Sequence, residues 1–107
     1  MSKSIIASSV SVWIGDEGVL SLEEMALACG AEVDCIVELV ELDVLAPQGA
    51  DATAWRFAAA DVQRARRLLR LMRDFETNLE AAAVILDLLE ETERLRARLR
   101  RAGLAPD

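Results

Sequence analysis

Apolar positions recur along this chain with three different periods. Residues 5–13, IIASSVSVW, are β-branched with partial alternation, and Gly15 and Gly18 follow, which predicts a short strand ending in a turn. From Ser21 the period becomes helical. Ser21-Leu22-Glu23-Glu24 is a capping box: the Ser21 hydroxyl can accept from the Glu24 amide while the Glu24 carboxylate reaches back, so a helix starts at Leu22. Leu22, Met25, Ala26 and Cys29 supply its apolar face and Gly30 ends it. A second helix is predicted from about Glu32 to Asp43. Its core face is assigned to Val33, Ile36, Val37, Val40 and Val44, its other face carries Asp34, Glu38 and Glu41, and Pro47 closes it.

The stretch Gln48–Ala54 is small and polar, with Gly49 and Asp51 as turn formers. Trp55 and Phe57 point to one side if the backbone there is extended, either as the largest anchors of a small core or with Trp55 left as a contact residue. A long helix is predicted from Ala59 or Ala60, with Asp61 in its first turn and a stripe of Val62, Ala65, Leu69, Met72 and Phe75. The run Asp74–Asn78 weakens the helical pattern. Beyond it, Ile85, Leu88, Thr92, Leu95, Leu99 and Ala102 are separated by 3, 4, 3, 4 and 3 residues, the spacing of a coiled-coil seam. Burying Ile85, Leu88, Leu95 and Leu99 contributes about 1.5–3 kcal/mol each. One helix cannot bury its own seam, so its cover is either the preceding helix folded back or the same helix of a second chain. The few residues left over favour the second, a homodimer.

Composition narrows the chemistry. The 107 residues contain no His and only two Cys, Cys29 and Cys35, so one chain cannot supply a four-ligand zinc site, and buried free thiols are the plain expectation. Without His the commonest general base is missing, and the carboxylates follow helix-surface spacing; no active site, cofactor site or metal site is assembled. The longest apolar run is far shorter than a membrane span, and the N-terminus has neither the basic region nor the cleavage site of a secretory signal, which predicts a soluble cytoplasmic protein.

Charge is unevenly spread. Residues 1–60 hold two cations against ten acids, a net of −8, whereas residues 61–107 hold ten arginines against nine acids, a net of +1. The predicted organisation is an acidic head over 1–58, a helical, dimerising region over 59–103 and a tail at 104–107. The arginines after Trp55 either brace the long helix or form a basic patch, since Arg64, Arg67 and Arg70 can share a face.

The segment LSLEEMALACGAEVDCIVELVELDVLAP, then TAWRF ahead of a helix carrying Asp61, Ala65, Arg67, Leu68 and Arg70, then NLEAAAVILDLL leading into ERLRARL, resembles the MerR superfamily. Within that superfamily the chain is most similar to the chaperone-modulator (CbpM) branch, over about residues 10–102. The resemblance implies a mainly α fold: a MerR-like helix-turn-helix head with a small wing, followed by long helices ending in a dimerising, coiled-coil-like helix. It also implies a non-enzymatic protein that binds the J-domain of a CbpA-type, DnaJ-like co-chaperone and limits its stimulation of DnaK. Two departures from DNA-binding MerR proteins favour this branch. The helix that would read DNA carries Asp34, Glu38, Glu41 and Asp43 with no Lys or Arg, and the wing offers only Arg56. Affinity for duplex DNA comes largely from neutralising phosphates, so a head of this charge makes nucleic acid an unfavourable partner.

The alternative is a MerR-like transcriptional regulator. Metal sensing within that class is disfavoured because both cysteines lie in the head, away from the dimerising helix where such sensors place their ligands. The acidic stripe Asp34, Glu38 and Glu41 is either a solvated helix face or a docking surface for a basic partner, with Trp55, Arg64, Arg67 and Arg70 as the other candidate contact side.

Overall fold

The computed structural model describes residues 3–7, 10–14 and 19–104, the first two segments through their backbone alone. The turn predicted at Gly15 and Gly18, and most of the predicted tail, lie outside the described residues. The chain divides into two compact units, Met1–Arg67 and Leu68–Asp107.

In the first unit the N-terminal β-branched stretch forms two strands where one was expected: β1 (Lys3–Ala7) pairs antiparallel with β2 (Val10–Ile14), with Ile5 opposite Val12. A two-residue strand β3 (Val19–Leu20) leads into α1 (Leu22–Cys29). The capping box forms as the sequence predicts. The Ser21 amide donates to Glu24 Oε1 at 2.8 Å, and the Glu24 amide donates to Ser21 Oγ at 3.2 Å. Gly30, at φ 64°, turns the chain left-handed so that its own amide and that of Ala31 reach back to the carbonyls of Leu27 and Ala26. After three residues α2 (Val33–Glu41) begins, which completes a helix-turn-helix.

α2 ends on the same hydrogen-bonding pattern without a glycine. Asp43 adopts φ 61°, its amide donates to the Val40 carbonyl at 3.0 Å, and the Val44 amide donates to the Leu39 carbonyl at 2.9 Å. The chain then runs through the wing, where Gln48 and Arg56 form an antiparallel bridge, to β4 (Phe57–Ala58), which pairs with β3. The wing is closed at its tip by Asp51, whose carboxylate accepts from the Thr53 amide and hydroxyl and whose carbonyl accepts from the Ala54 amide. Gly49, at φ 118°, sits where a Cβ would be 2.3 Å from the Ala54 carbonyl oxygen.

α3 (Ala59–Asp74) starts with the Asp61 carboxylate accepting from the Ala58 amide at 3.0 Å, and it runs from the first unit into the second. It ends at Glu76, φ 49°, with the Thr77 amide donating to the Met72 carbonyl. Asn78 then caps α4 (Leu79–Arg101), its side chain accepting from the Ala81 amide at 2.8 Å. The break expected over Asp74–Asn78 is therefore the junction of two helices.

The core of the first unit is drawn from every element between β3 and α3: Leu20, Leu22, Met25, Ala26, Ala28, Ile36, Leu39, Val44, Leu45, Phe57, Val62 and Ala65 are buried. Two expected apolar faces are corrected. On α2, Ile36 and Leu39 enter the core, Val37 and Val40 are half-buried and Val33 is exposed. On α3 the buried row is Val62, Ala65 and Leu68, with Leu69 and Met72 half-buried and Phe75 exposed. In both helices the three-residue step wins over the four-residue step, because each helix commits only a narrow stripe to the core.

Gly49 and Gly30 separate two roles of glycine. Gly30→Ala meets nothing within 4 Å and loses only left-handed freedom, about 1–2 kcal/mol; Gly49→Ala adds a collision with backbone. Thermal melts are expected to show a fall of roughly 4–8 °C per kcal/mol for Gly30→Ala and a distinctly larger fall for Gly49→Ala. Equal shifts would mean that the wing yields without cost.

Candidate functional site

The outward face of α2 is built by local sequence. Residues 34, 38 and 41 lie on one side of the helix and Ile36 and Leu39 on the other, so burying the apolar pair turns the three acids to solvent. Asp34, Glu38 and Glu41 are all exposed, as are Glu32 and Asp43 at the two ends of the helix. The helix carries no Lys or Arg. None of the three acids has an ion-pair partner among the described residues.

The arginines of α3 differ in their surroundings. Arg64 is half-buried and its Nη1 donates to the Val44 carbonyl, just past the end of α2. Arg66, which the sequence patterns do not single out, is half-buried and donates from Nη1 to the Ala28 carbonyl at 2.9 Å, at the end of α1. The Ala28 carbonyl belongs to the last turn of α1, where the dipole is negative and carbonyls lack partners within the helix, whereas the Val44 carbonyl lies three residues beyond α2. Periodicity gives no signal for such a role, since the partner is a backbone oxygen 38 residues away. Arg67 is half-buried, and Arg70, in the second unit, is exposed.

Trp55 is half-buried, and its ring meets Phe57 edge-on with centroids 6.2 Å apart. Phe57 is fully buried, so of the two readings of this pair the core anchor describes Phe57, while Trp55 packs on it at the border of solvent. Arg56, between them, is exposed and donates to the Trp55 carbonyl.

Both thiols are free and half-buried. Burial pushes Cys29 up to about 11; the Arg66 guanidinium pulls it back and Cys35 pushes it further. Cys35 is raised by burial and by Glu38. Both are therefore protonated at neutral pH and weak as nucleophiles or metal ligands. Among the described residues no three His, Cys, Asp or Glu side chains gather as a metal site, and no helix is long and apolar enough to cross a membrane.

In the second unit α4 buries Leu79, Ala82, Ala83 and Leu86. Its seam residues remain largely uncovered: Ile85 is half-buried, while Leu88, Thr92, Leu95, Leu99 and Ala102 are exposed, Leu88 by 62% and Leu95 and Leu99 by 45% each. Ala102 lies at the helix cap, one residue past the last turn. Leu95, Arg98, Leu99 and Ala102 line an open groove of about 510 Å³. Thr92 directs its hydroxyl back to the Leu88 carbonyl at 2.8 Å, so its polar group is satisfied by its own helix. Arg94 pairs with Glu91 one turn earlier.

The Cys29 shift fixes a pH window. A folded-state value above the unfolded one, about 9, contributes stability that is intact below pH 9 and is lost as pH rises through about 11. Urea melts between pH 8 and 11 are expected to lose stability more steeply for the wild type than for Cys29→Ala. Parallel pH profiles would show that the thiol ionises without penalty.

The residues that form the helix-turn-helix, the wing and the long C-terminal helix are the ones that the comparisons with known proteins match. The sequence model for "MerR HTH family regulatory protein" matches residues 20–102. The chain is 33% identical over 100 residues to the chaperone modulatory protein CbpM of Coxiella burnetii (strain Dugway 5J108-111), an alignment spanning 94% of this chain and 92% of that protein. It is 31% identical over 81 residues to the CbpM of Pseudomonas putida (strain GB-1), spanning 74% and 80% of the two chains. The CbpM of Pseudomonas putida (strain W619) matches at the same identity over the same lengths. The chain therefore belongs to the MerR-type helix-turn-helix family, within its group of CbpM chaperone-modulatory proteins.

Proposed function

We propose that this protein is a non-catalytic chaperone modulator that binds the J-domain of a CbpA-type, DnaJ-like co-chaperone and limits its stimulation of DnaK. The observation that carries the reading is the outward face of α2. In a DNA-binding helix-turn-helix this helix enters the major groove. Here it offers Asp34, Glu38 and Glu41 and no cation, and Arg64 and Arg66 of α3 are engaged with backbone carbonyls. Such a face repels phosphates and suits a basic helical surface. The names of the relatives support a chaperone partner over a promoter.

We also propose that the protein acts as a homodimer through the α4 seam. Exposed Leu88, Leu95 and Leu99 on a helix about 35 Å long form a larger apolar face than a lone helix leaves in water. Charge along α4 supports antiparallel pairing. Asp87, Glu90, Glu91 and Glu93 precede Arg94, Arg96, Arg98, Arg100 and Arg101, so antiparallel helices set each acidic run beside the other chain's arginines, whereas parallel helices set like beside like.

Two experiments test these readings. Replacing Asp34, Glu38 and Glu41 together by Lys is expected to preserve helix content, to slow association with a purified CbpA-type J-domain at least about tenfold at low salt, and to flatten its salt dependence, because the screening length shortens to about 8 Å at 0.15 M. An unchanged association rate would place the contact elsewhere, and sequence-dependent duplex binding that survives 0.15 M salt would favour the transcriptional regulator instead. Light scattering is expected to give twice the 11.7 kDa chain mass, and Leu95→Asp to lower it; a wild-type monomer at micromolar concentration would remove the dimer.

A further inference from the structure

α2 leaves one row of side chains exposed and a neighbouring row only half-covered. Periodicity assigns Val33, Ile36, Val37, Val40 and Val44 to the core, yet within the helix only Ile36, joined by Leu39, is fully buried. Val33 stays 37% exposed, and Val37 and Val40 are half-buried. These valines stand at i, i+4 and i+7, and Asp34, Glu38 and Glu41 stand at the same spacing one residue on. The aliphatic row therefore runs beside the acidic row for about 13 Å, the length of the helix.

We infer that the half-covered valine row of α2 is the apolar part of a docking face whose occupant is a basic amphipathic helix, one that sets an aliphatic row against Val33, Val37 and Val40 and a cationic row against the acids. The inference rests on the proposed partner-binding role of α2 and says what the partner must present there. Charge complementarity selects a basic occupant, because the helix has no cation and its three acids have no ion-pair partner among the described residues. Spacing selects a helical one, since a partner helix repeats the three- and four-residue steps and keeps both rows in register. Nucleic acid fits neither row, as acids repel its phosphates and methyl groups leave them unpaired. The two rows divide the work. Exposed charges chiefly set encounter rate, while desolvated methyl groups chiefly set residence time.

Val33→Thr/Val37→Thr keeps side-chain shape and removes apolar surface from the row; thermal melts confirm that the head stays folded. Its complex with the J-domain is expected to dissociate about five- to tenfold faster with an association rate within about twofold of wild type. A J-domain complex whose dissociation rate is unchanged by the double substitution overturns the inference while leaving the proposed function standing. If the J-domain does not bind the wild type at all, the proposed function fails, and two synthetic helices then decide the inference alone. One carries a Lys row beside a Leu row, and the other carries the same Lys row beside Ser. Wild-type binding of the first at least about tenfold tighter than the second, with the preference lost in Val33→Thr/Val37→Thr, upholds the docking face; equal binding of the two, or binding of neither, overturns it.

Discussion

Helix C-termini are the constraint on which the head depends. Each short helix exposes its last carbonyls, and a helix-turn-helix brings two such ends into a domain with little core to spare. The chain meets this in two ways. A left-handed residue after each helix folds the backbone back, at Gly30 after α1 and at Asp43 after α2, and arginines of α3 reach the Ala28 and Val44 carbonyls nearby. α3 is thus a brace across the head as well as its continuation. Arg66 lies at the negative dipole end of α1, and Arg64 meets a main-chain oxygen of the segment that follows α2.

That use of charge shapes the functional surface. The head is acidic and the adjoining helix carries arginines, but Arg64 and Arg66 are turned to backbone oxygens. What remains outward on α2 is acidic and aliphatic. The helix-turn-helix framework is kept while the chemistry of its second helix is opposite to that of a phosphate-binding surface. Ile36 and Leu39 are buried in the scaffold, and Asp34, Glu38 and Glu41 face solvent.

The second unit has a different balance. The first two turns of α4 bury Leu79, Ala82, Ala83 and Leu86, and beyond Leu86 the apolar residues are mostly exposed. Helix formation there is supported by local pairs such as Glu91 with Arg94, exposed to solvent, and by the Asn78 cap. Such terms hold a helix in shape without covering Leu88, Leu95 and Leu99, and those side chains account for the seam that the spacing describes.

The sequence by itself determined the features whose causes lie within one or two turns of chain. The Ser21–Glu24 capping box, the stop at Gly30, the outward acids of α2, the junction over Asp74–Asn78 and the spacing of the α4 seam are all written in neighbouring residues, and all appear in the structure. Only tertiary structure decided how much of the apolar face of α2 enters the core. The spacing puts Val33, Ile36, Val37 and Val40 on one face, and the narrowing of that face to Ile36 with Leu39 depends on what the rest of the head presents to it. It also decided that the N-terminal stretch folds as two paired strands, and that Gly49 is held by the nearby Ala54 carbonyl. The roles of Arg64 and Arg66 were illegible for the same reason. Their partners are main-chain oxygens, which every residue carries and no side-chain pattern marks.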